Sequence, residues 1–404
     1  MTTRTTTAPF TRFAPPLTAS TPELSVVMPC LNEADTIATV IEKAQRAIGS
    51  GGINAEIVIA DNGSTDGSQE IARRLGARVI AVDQRGYGAA LMGGINAARG
   101  TYVMMGDADD SYDWGEIPRF LAKLREGYDL VQGCRLETGG GTVKPGAMPF
   151  LHRWWGNPMF SALARWWFRT PIHDIHCGMR AFRRDMWLAL DQRCTGMEFA
   201  SEMVIKASLF QAKTAEIPIT LSPDGRTSHP PHLKTFRDGW RHLRFFLLFS
   251  PRWLFLMPGL ALILAGTVGY ALAMPRLSLG KMTFDVHTLL FASLAIICGY
   301  QSIAFALMTK VFAIMEGLLP EDPRLNRFFA LVNLESGLSV GALGMLVGLG
   351  LLSGAVHQWS SADFGALNYE HTMRWVIPGV MLTALGFQTI LSSFFASLMG
   401  MRRR

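Results

Sequence analysis

Four long apolar stretches fill the second half of this chain, at about 253–274, 288–311, 329–355 and 376–398. Each approaches or exceeds the ~20 residues a helix needs to cross the hydrocarbon core of a bilayer. They are rich in Gly and Ala, and Gly337 and Gly341 stand at the G-x-x-x-G spacing that lets membrane helices approach closely. A soluble helical core would show polar faces instead. The pattern predicts an α-helical transmembrane bundle of four spans over 251–404, with both chain ends on one side of the bilayer.

Charge sets the expected orientation. Arg237, Arg241, Arg244 and Arg252 precede the first span, Lys310, Arg324 and Arg327 follow the second, and the chain ends in Arg402, Arg403 and Arg404. The other two loops hold Arg276 and Lys281, and Arg374. The positive-inside rule then predicts a multi-pass protein of the inner (plasma) membrane with its N-terminal half and both termini in the cytoplasm. Between the halves, Phe236, Trp240, Leu243 and Leu247 recur at helical spacing beside Arg237, Arg241 and Arg244. This predicts an amphipathic helix over 236–250, suited to an anionic membrane surface; a helix packed on the preceding domain is the alternative.

The first half reads differently. Residues 25–33 (SVVMPCLNE), 56–67 (EIVIADNGSTDG) and 101–111 (TYVMMGDADDS) each run a β-rich stretch into a polar or acidic turn. Helical patterns follow the first two, through Ile37, Val40, Ile41 and Ala44, and through Ile71, Ala72 and Leu75, with Ser64 or Thr65 expected as the cap of the second. A further unit runs through residues 78–82, the turn at 85–88 and a helix to Ala97. The turn's G-Y-G does not complete a dinucleotide fingerprint, because Leu91 stands where the third Gly belongs. The alternation predicts an α/β domain with a mostly parallel sheet and its acidic turns on one edge.

Asp107 and Asp109 arrive together at the carboxyl end of their strand, where open α/β sheets bind ligands. Two carboxylates so close need a positive partner. A divalent cation shared with a diphosphate supplies one, since Mg²⁺ is held by one or two carboxylates plus phosphate oxygens. A solvated acidic turn is the plainer alternative for an isolated D-x-D.

With P-x-L-N-E, D-N-G-S-T-D-G and D-A-D in this order, residues 24–235 resemble glycosyltransferase family 2, whose catalytic domain has the Rossmann-like glycosyltransferase-A fold. Residues 133–135 (GCR), Gly139 and Gly140, residues 177–182 (CGMRAF) and 198–202 (EFASE) narrow the resemblance to polyprenyl-phosphate hexose synthases of the dolichyl-phosphate mannose synthase type. The resemblance implies that Pro29, Leu31, Glu33 and Asp61 surround the nucleotide of a nucleotide sugar. It implies that Asp107, Ala108 and Asp109 bind the diphosphate, with Asp107 and Asp109 holding Mg²⁺ or Mn²⁺. Ser111 stands where family members often carry a metal-contacting Gln. Arg135 and Arg153 match basic residues that face the acceptor phosphate, and Arg226 matches an Arg of a late loop closing over the donor, although 228–232 (SHPPH) replaces the usual Ser-Lys-Leu. Asp109, Arg135 and Arg153 are the expected catalytic residues of an inverting, metal-dependent hexose transfer from a UDP-glucose or GDP-mannose type donor to a polyprenyl phosphate.

Other features carry less. His173, His176 and Cys177 form H-x-x-H-C, but no second Cys/His pair completes a zinc site. Glu198 and Glu202 are expected to be structural, because a phosphate acceptor needs no base. Trp154, Trp155, Trp166, Trp167 and Phe168, interleaved with Arg153, Arg165 and Arg169, suit a membrane interface, with ordinary core as the alternative. The net charge of +6 lies largely in the arginines beside the membrane segments and points to anionic lipid; no nucleic-acid motif accompanies it. Five scattered Cys fit a reduced compartment. The expected domains are a flexible tail over 1–22, a catalytic domain over 23–235, the interfacial helix and the bundle; the sequence leaves the oligomeric state open. A processive polysaccharide synthase is the rival enzyme reading, yet its Q-x-x-R-W motif is matched only by residues 371–375 (HTMRW), without the Gln. A non-catalytic membrane protein with a degenerate transferase domain is the other alternative.

Overall fold

The computed structural model describes residues 21–227, 235–325, 327 and 333–401. The tail up to residue 20, the 228–232 substitution, residues 329–332 of the third expected span and Arg402–Arg404 lie outside the described residues. The chain divides into two compact units, Met1–Phe246 and Leu247–Arg404.

The first unit starts with parallel strands β1 (Leu24–Cys30), β2 (Ala55–Asp61), β3 (Arg78–Ala81) and β4 (Tyr102–Met105), connected through helices α1 (Ile37–Ser50), α2 (Ser68–Arg74) and α3 (Tyr87–Ala97). Helix α1 forms where apolar side chains recur on one stripe, and it buries Ile37, Val40, Ile41, Ala44 and Ala47. Its partner α2 does not begin as expected. Gly67 precedes its first turn, and Ser64 and Thr65 are drawn away to Asn32: Ser64 Oγ accepts the Asn32 N–H at 2.9 Å, and the Thr65 N–H donates to Asn32 Oδ1 at 2.8 Å. Tying two acidic turns together takes precedence over capping.

After α4 (Ile117–Arg125) come β5 (Leu130–Cys134), β6 (Thr142–Val143), α5 (Asn157–Phe168), β7 (Arg180–Arg183), α6 (Arg184–Leu190), α7 (Phe199–Leu209), β8 (Thr214–Pro218), β9 (Thr220–Leu221) and α8 (Thr235–Leu248). The main sheet has the order β3-β2-β1-β4-β7-β5-β8. Only β7 runs against its neighbours β4 and β5. Alternate residues of each strand point to opposite faces. Val26, Met28, Ile59 and Met104 face α1 and α4 in one core, while Val27, Val58, Val103 and Met105 face α3, α6 and α7 in the other. Covering both faces is what a parallel sheet requires.

Helix α8 has two characters. Asp238, His242, Phe245 and Phe246 are buried, and Phe246 meets Phe160 and Phe168 of α5 edge-on at 5.7 and 5.6 Å. Phe236 and Trp240 are 86% and 60% exposed. The helix therefore packs on the first unit while still presenting aromatics outward. Trp154, Trp155 and Trp166 are likewise exposed, whereas Phe168 is core.

Among the described residues of the second unit, four helices are long and apolar enough to cross a membrane: Arg252–Ala273, Val286–Met315, Leu334–Ser361 and Tyr369–Met399. Outward Phe291, Leu343 and Leu346 are each more than 60% exposed, as lipid-facing residues would be. Gly341 serves close packing: a Cβ there would fall 2.7 Å from Ile390 Cγ1 and 2.8 Å from the Gly386 carbonyl oxygen. Arg374 donates to the Met274 carbonyl at 2.8 Å and to Asp285 Oδ1 at 2.6 Å, so it joins the start of the last helix to the loop after the first.

Candidate active site

The carboxyl ends of β1, β2 and β4 open into one cleft of about 420 Å³. Pro29, Leu31 and Glu33 line it from the turn after β1, and Asp107, Ala108 and Asp109 from the turn after β4. The two turns are joined by Thr36, whose Oγ1 donates to the Ala108 carbonyl at 2.7 Å. Arg226 closes one side. Its Nη2 donates to Glu33 Oε1 at 2.7 Å and stands 3.4 Å from Asp109 Oδ2. The late loop is held to the acidic turn by its backbone as well, the Gly225 N–H donating to the Asp109 carbonyl at 2.8 Å.

The paired carboxylates are not equivalent. Asp107 Oδ1 accepts the Tyr87 hydroxyl at 2.8 Å, whereas Asp109 Oδ1 accepts both the Ser111 hydroxyl at 2.6 Å and the Ser111 N–H at 3.1 Å. Burial, and then the negative charge of Asp109, push the Asp107 carboxyl up to about 6, against the opposing Tyr87 bond and the more distant Arg226 and Arg135 charges. Such a pair suits a hard divalent cation, which would relieve the mutual repulsion and leave positions for phosphate oxygens. No cluster of three or more His, Cys, Asp or Glu able to enclose a metal occurs among the described residues. A site of two carboxylates completed by a diphosphate fits these residues; an all-protein cage does not. Of the H-x-x-H-C residues, His173 is bonded to Glu216 through Nδ1 at 2.7 Å and Cys177 donates to the Met179 carbonyl.

Three residues expected at the site stand outside the cleft lining. Asp61 is 2% exposed and spends its carboxylate on its own turn, accepting the N–H groups of Gly63 and Ser64 and Gln69 Nε2 at 2.7 Å. Arg135 is buried, its Nε and Nη2 donating to Asp174 at 2.7 and 2.9 Å. Its Nη1 lies 3.5 Å from the Tyr112 hydroxyl, which accepts the Gly178 N–H. Arg153 is bonded to Glu137 at 3.0 Å and lies over the Trp154 ring. An ion pair is the plainer alternative that the sequence allows for either Arg, though it does not name the carboxylate. Glu202 is engaged inside the first unit. It is fully buried, pairs with Lys206 at 2.7 Å and accepts the Arg193 and Cys194 N–H groups.

Sequence reasoning also missed residues. Arg85, Gly86 and Tyr87 line the cleft, as do Arg237, Asp238 and Arg241 of α8. Gly86 has φ +140°, and a Cβ there would collide with the Thr195 carbonyl oxygen, so the R-G-Y-G turn can seat Tyr87 beside Asp107 only with glycine. The sequence signal for this is the R-G-Y-G turn itself, whose glycine matters for backbone space and not as part of a dinucleotide motif. Arg237 and Arg241, expected beside a membrane surface, also line this cleft from α8.

Two family models match, "Glycosyl transferase family 2" over residues 25–188 and "Glycosyltransferase family 2 C-terminal transmembrane region" over 307–400. The low-salt glycan biosynthesis hexosyltransferase Agl6 of Haloferax volcanii is 36% identical over 94% of this chain and 89% of its own length. The chain belongs to glycosyltransferase family 2. This family 2 glycosyltransferase is thus an enzyme and a membrane protein. It is also similar to a dolichyl-phosphate hexose transferase of Haloferax volcanii, at 37% identity over 49% of this chain and 82% of that one. A third relative is the undecaprenyl-phosphate 4-deoxy-4-formamido-L-arabinose transferase of Edwardsiella ictaluri, at 32% identity over 48% of this chain and 59% of that one.

Proposed function

We propose that this enzyme transfers one hexose from a nucleotide diphosphate sugar to a polyprenyl phosphate at the cytoplasmic face of the plasma membrane, with inversion at the anomeric carbon. The observation that carries the reading is a cleft in which a D-x-D pair and Arg226 converge, in a chain with four membrane-length helices. The relatives named for hexose and polyprenyl-phosphate transfer support the choice of substrates.

The chemistry needs little from the protein beyond placement. A lipid monophosphate has a second pKa near ~6 and is largely dianionic at neutral pH. Its oxygen attacks the anomeric carbon from the face opposite the departing nucleoside diphosphate, so the C–O bond to the diphosphate breaks as the new one forms and configuration inverts. No general base is required, consistent with Glu202 being committed to the fold. Asp107 and Asp109 would hold Mg²⁺ or Mn²⁺, which when bound would neutralise charge on the leaving diphosphate. Arg226 adds a cation on the same side, released from Glu33 as the diphosphate enters. Pro29, Leu31 and Glu33 line the cleft where the nucleotide would lie.

For the orientation in the membrane, the arginine asymmetry of the loops is the support. On the side with fewer cations, Arg374 and Arg276 are matched by Asp285 and Glu370. Labelling a Cys introduced at position 404 from outside intact cells would overturn the cytoplasmic assignment. The processive-synthase reading has no support here, since the Arg of its nearest motif match, Arg374, is tied to Asp285. The test is incubation of purified protein with a panel of radiolabelled nucleotide sugars, with and without polyprenyl phosphate. Label should enter the organic phase with one donor class and only when the lipid phosphate is present.

A further inference from the structure

We infer that Arg237 and Arg241 of α8 form the subsite for the acceptor's phosphate. This rests on the lipid-phosphate reading above and names the residues that would receive it. Two anions must meet in one cleft, and the donor diphosphate already has Asp107, Asp109 and Arg226 arranged around it. The second anion needs cations of its own.

Arg135 and Arg153 stand outside the cleft lining, claimed by Asp174 and Glu137. Arg226, beside Asp109, is assigned to the donor diphosphate, and Arg85 donates to the Asn62 carbonyl beyond β2. Arg237 and Arg241 line the cleft and remain 55% and 40% exposed along their side chains. The acidic neighbour they share, Asp238, is buried and stands 3.5 and 3.8 Å away, longer than a good hydrogen bond. The pair is therefore held in place with donors to spare. Residues four apart on a helix lie one above the other on the same side, so both guanidiniums can reach one phosphate. Arginine forks are suited to that ligand.

The same helix also accounts for the lipid. Phe236 and Trp240 each precede one of the arginines and are strongly exposed. Charge beside exposed aromatics matches a ligand with an anionic head and a hydrocarbon tail. A basic amphipathic helix that only anchors the protein would not need its arginines in the lining of a cleft.

The experiment compares wild type with the double variant Arg237→Gln/Arg241→Gln on two acceptors, a long polyprenyl phosphate in liposomes and a short water-soluble prenyl phosphate. Phosphate recognition predicts a rise of roughly tenfold to a hundredfold in acceptor KM on both, as expected for loss of charge-assisted hydrogen bonds. Donor KM and calorimetric nucleotide affinity should be unchanged, which also shows that the variant is folded. The Arg237→Lys/Arg241→Lys protein, keeping charge but not the forks, should fall between. A loss confined to the liposome acceptor would overturn the inference in favour of simple membrane attachment, and so would unchanged acceptor KM or a shifted donor KM. Absence of wild-type turnover on either acceptor would overturn the underlying reading as well.

Discussion

Tyr87 donates its hydroxyl to Asp107 Oδ1 at 2.8 Å, joining the start of α3 to the acidic turn after β4. The bond fixes one oxygen of Asp107 and leaves the other for a ligand. Tyr87→Phe keeps the ring and removes only this bond, one to a charged group and worth about 1.5–3 kcal/mol. Metal dependence of the rate should shift, with roughly tenfold more Mn²⁺ needed for half-maximal activity. An unchanged metal titration would show that Tyr87 does not position Asp107.

Asp109 gives a harsher test. Its Oδ2 faces Arg226 and its Oδ1 is held by Ser111. Asp109→Asn keeps the shape and removes the charge, and transfer should fall by ~10²–10³, the scale for losing one group that stabilises developing charge. Wild-type enzyme should lose activity in EDTA and regain it with Mg²⁺ or Mn²⁺. Full activity after verified metal removal would rule out a metal at this pair.

How much of this was legible in the sequence differs from part to part. Strand-to-acidic-turn boundaries read clearly, because a β-branched run ending in Asp or Asn leaves few alternatives, and Glu33, Asp107 and Asp109 do share one cleft. The reversed strand β7 was not legible: Arg180 to Arg183 carries no mark of strand direction, which comes from its pairing with β4 and β5. The pairing of Arg135 was not legible either, since its partner Asp174 lies 39 residues away. In the membrane half, apolar length alone located four helices, but the third ends at Ser361 rather than near 355 and the fourth starts at Tyr369, because polar ends of a helix look like loop in a hydropathy pattern.

Glu202 tests the boundary between fold and chemistry. It and Lys206 are paired at 2.7 Å with side chains 1% exposed. Removing one partner of a buried pair typically costs about 3–5 kcal/mol. Glu202→Gln keeps hydrogen-bonding capacity, so a loss toward the lower end of that range is expected by denaturant unfolding of the first unit. Protein that remains folded at low temperature should retain most of its kcat. A large loss of kcat in folded protein would instead assign Glu202 to catalysis.

Acid sensitivity should arise at α8. Burial holds His242 down to about 4 from its ordinary 6.5, against the opposing charge of Asp238. Its ring Nδ1 is bonded to Ser201 at 2.9 Å, and its centroid is 4.5 Å from that of His176, itself held well below its ordinary value by burial and by His242. The unfolded chain takes up a proton first, so the contribution of neutral His242 is full above pH 6.5 and is lost as pH falls toward 4, on the order of 3 kcal/mol. Melting temperature should decline through this window, and His242→Asn should flatten that part of the decline. Identical pH profiles for the two proteins would contradict the assignment.

The central claim is that a single hexose ends on the phosphate of a lipid, and intact-lipid mass spectrometry of the product measures this most directly. Purified enzyme incubated with its donor, a divalent cation and polyprenyl phosphate should yield a species heavier than the acceptor by one hexose residue, with no further additions at long times and release of one nucleoside diphosphate per lipid. A ladder of several hexoses on one chain, or free hexose with unmodified polyprenyl phosphate, would contradict it.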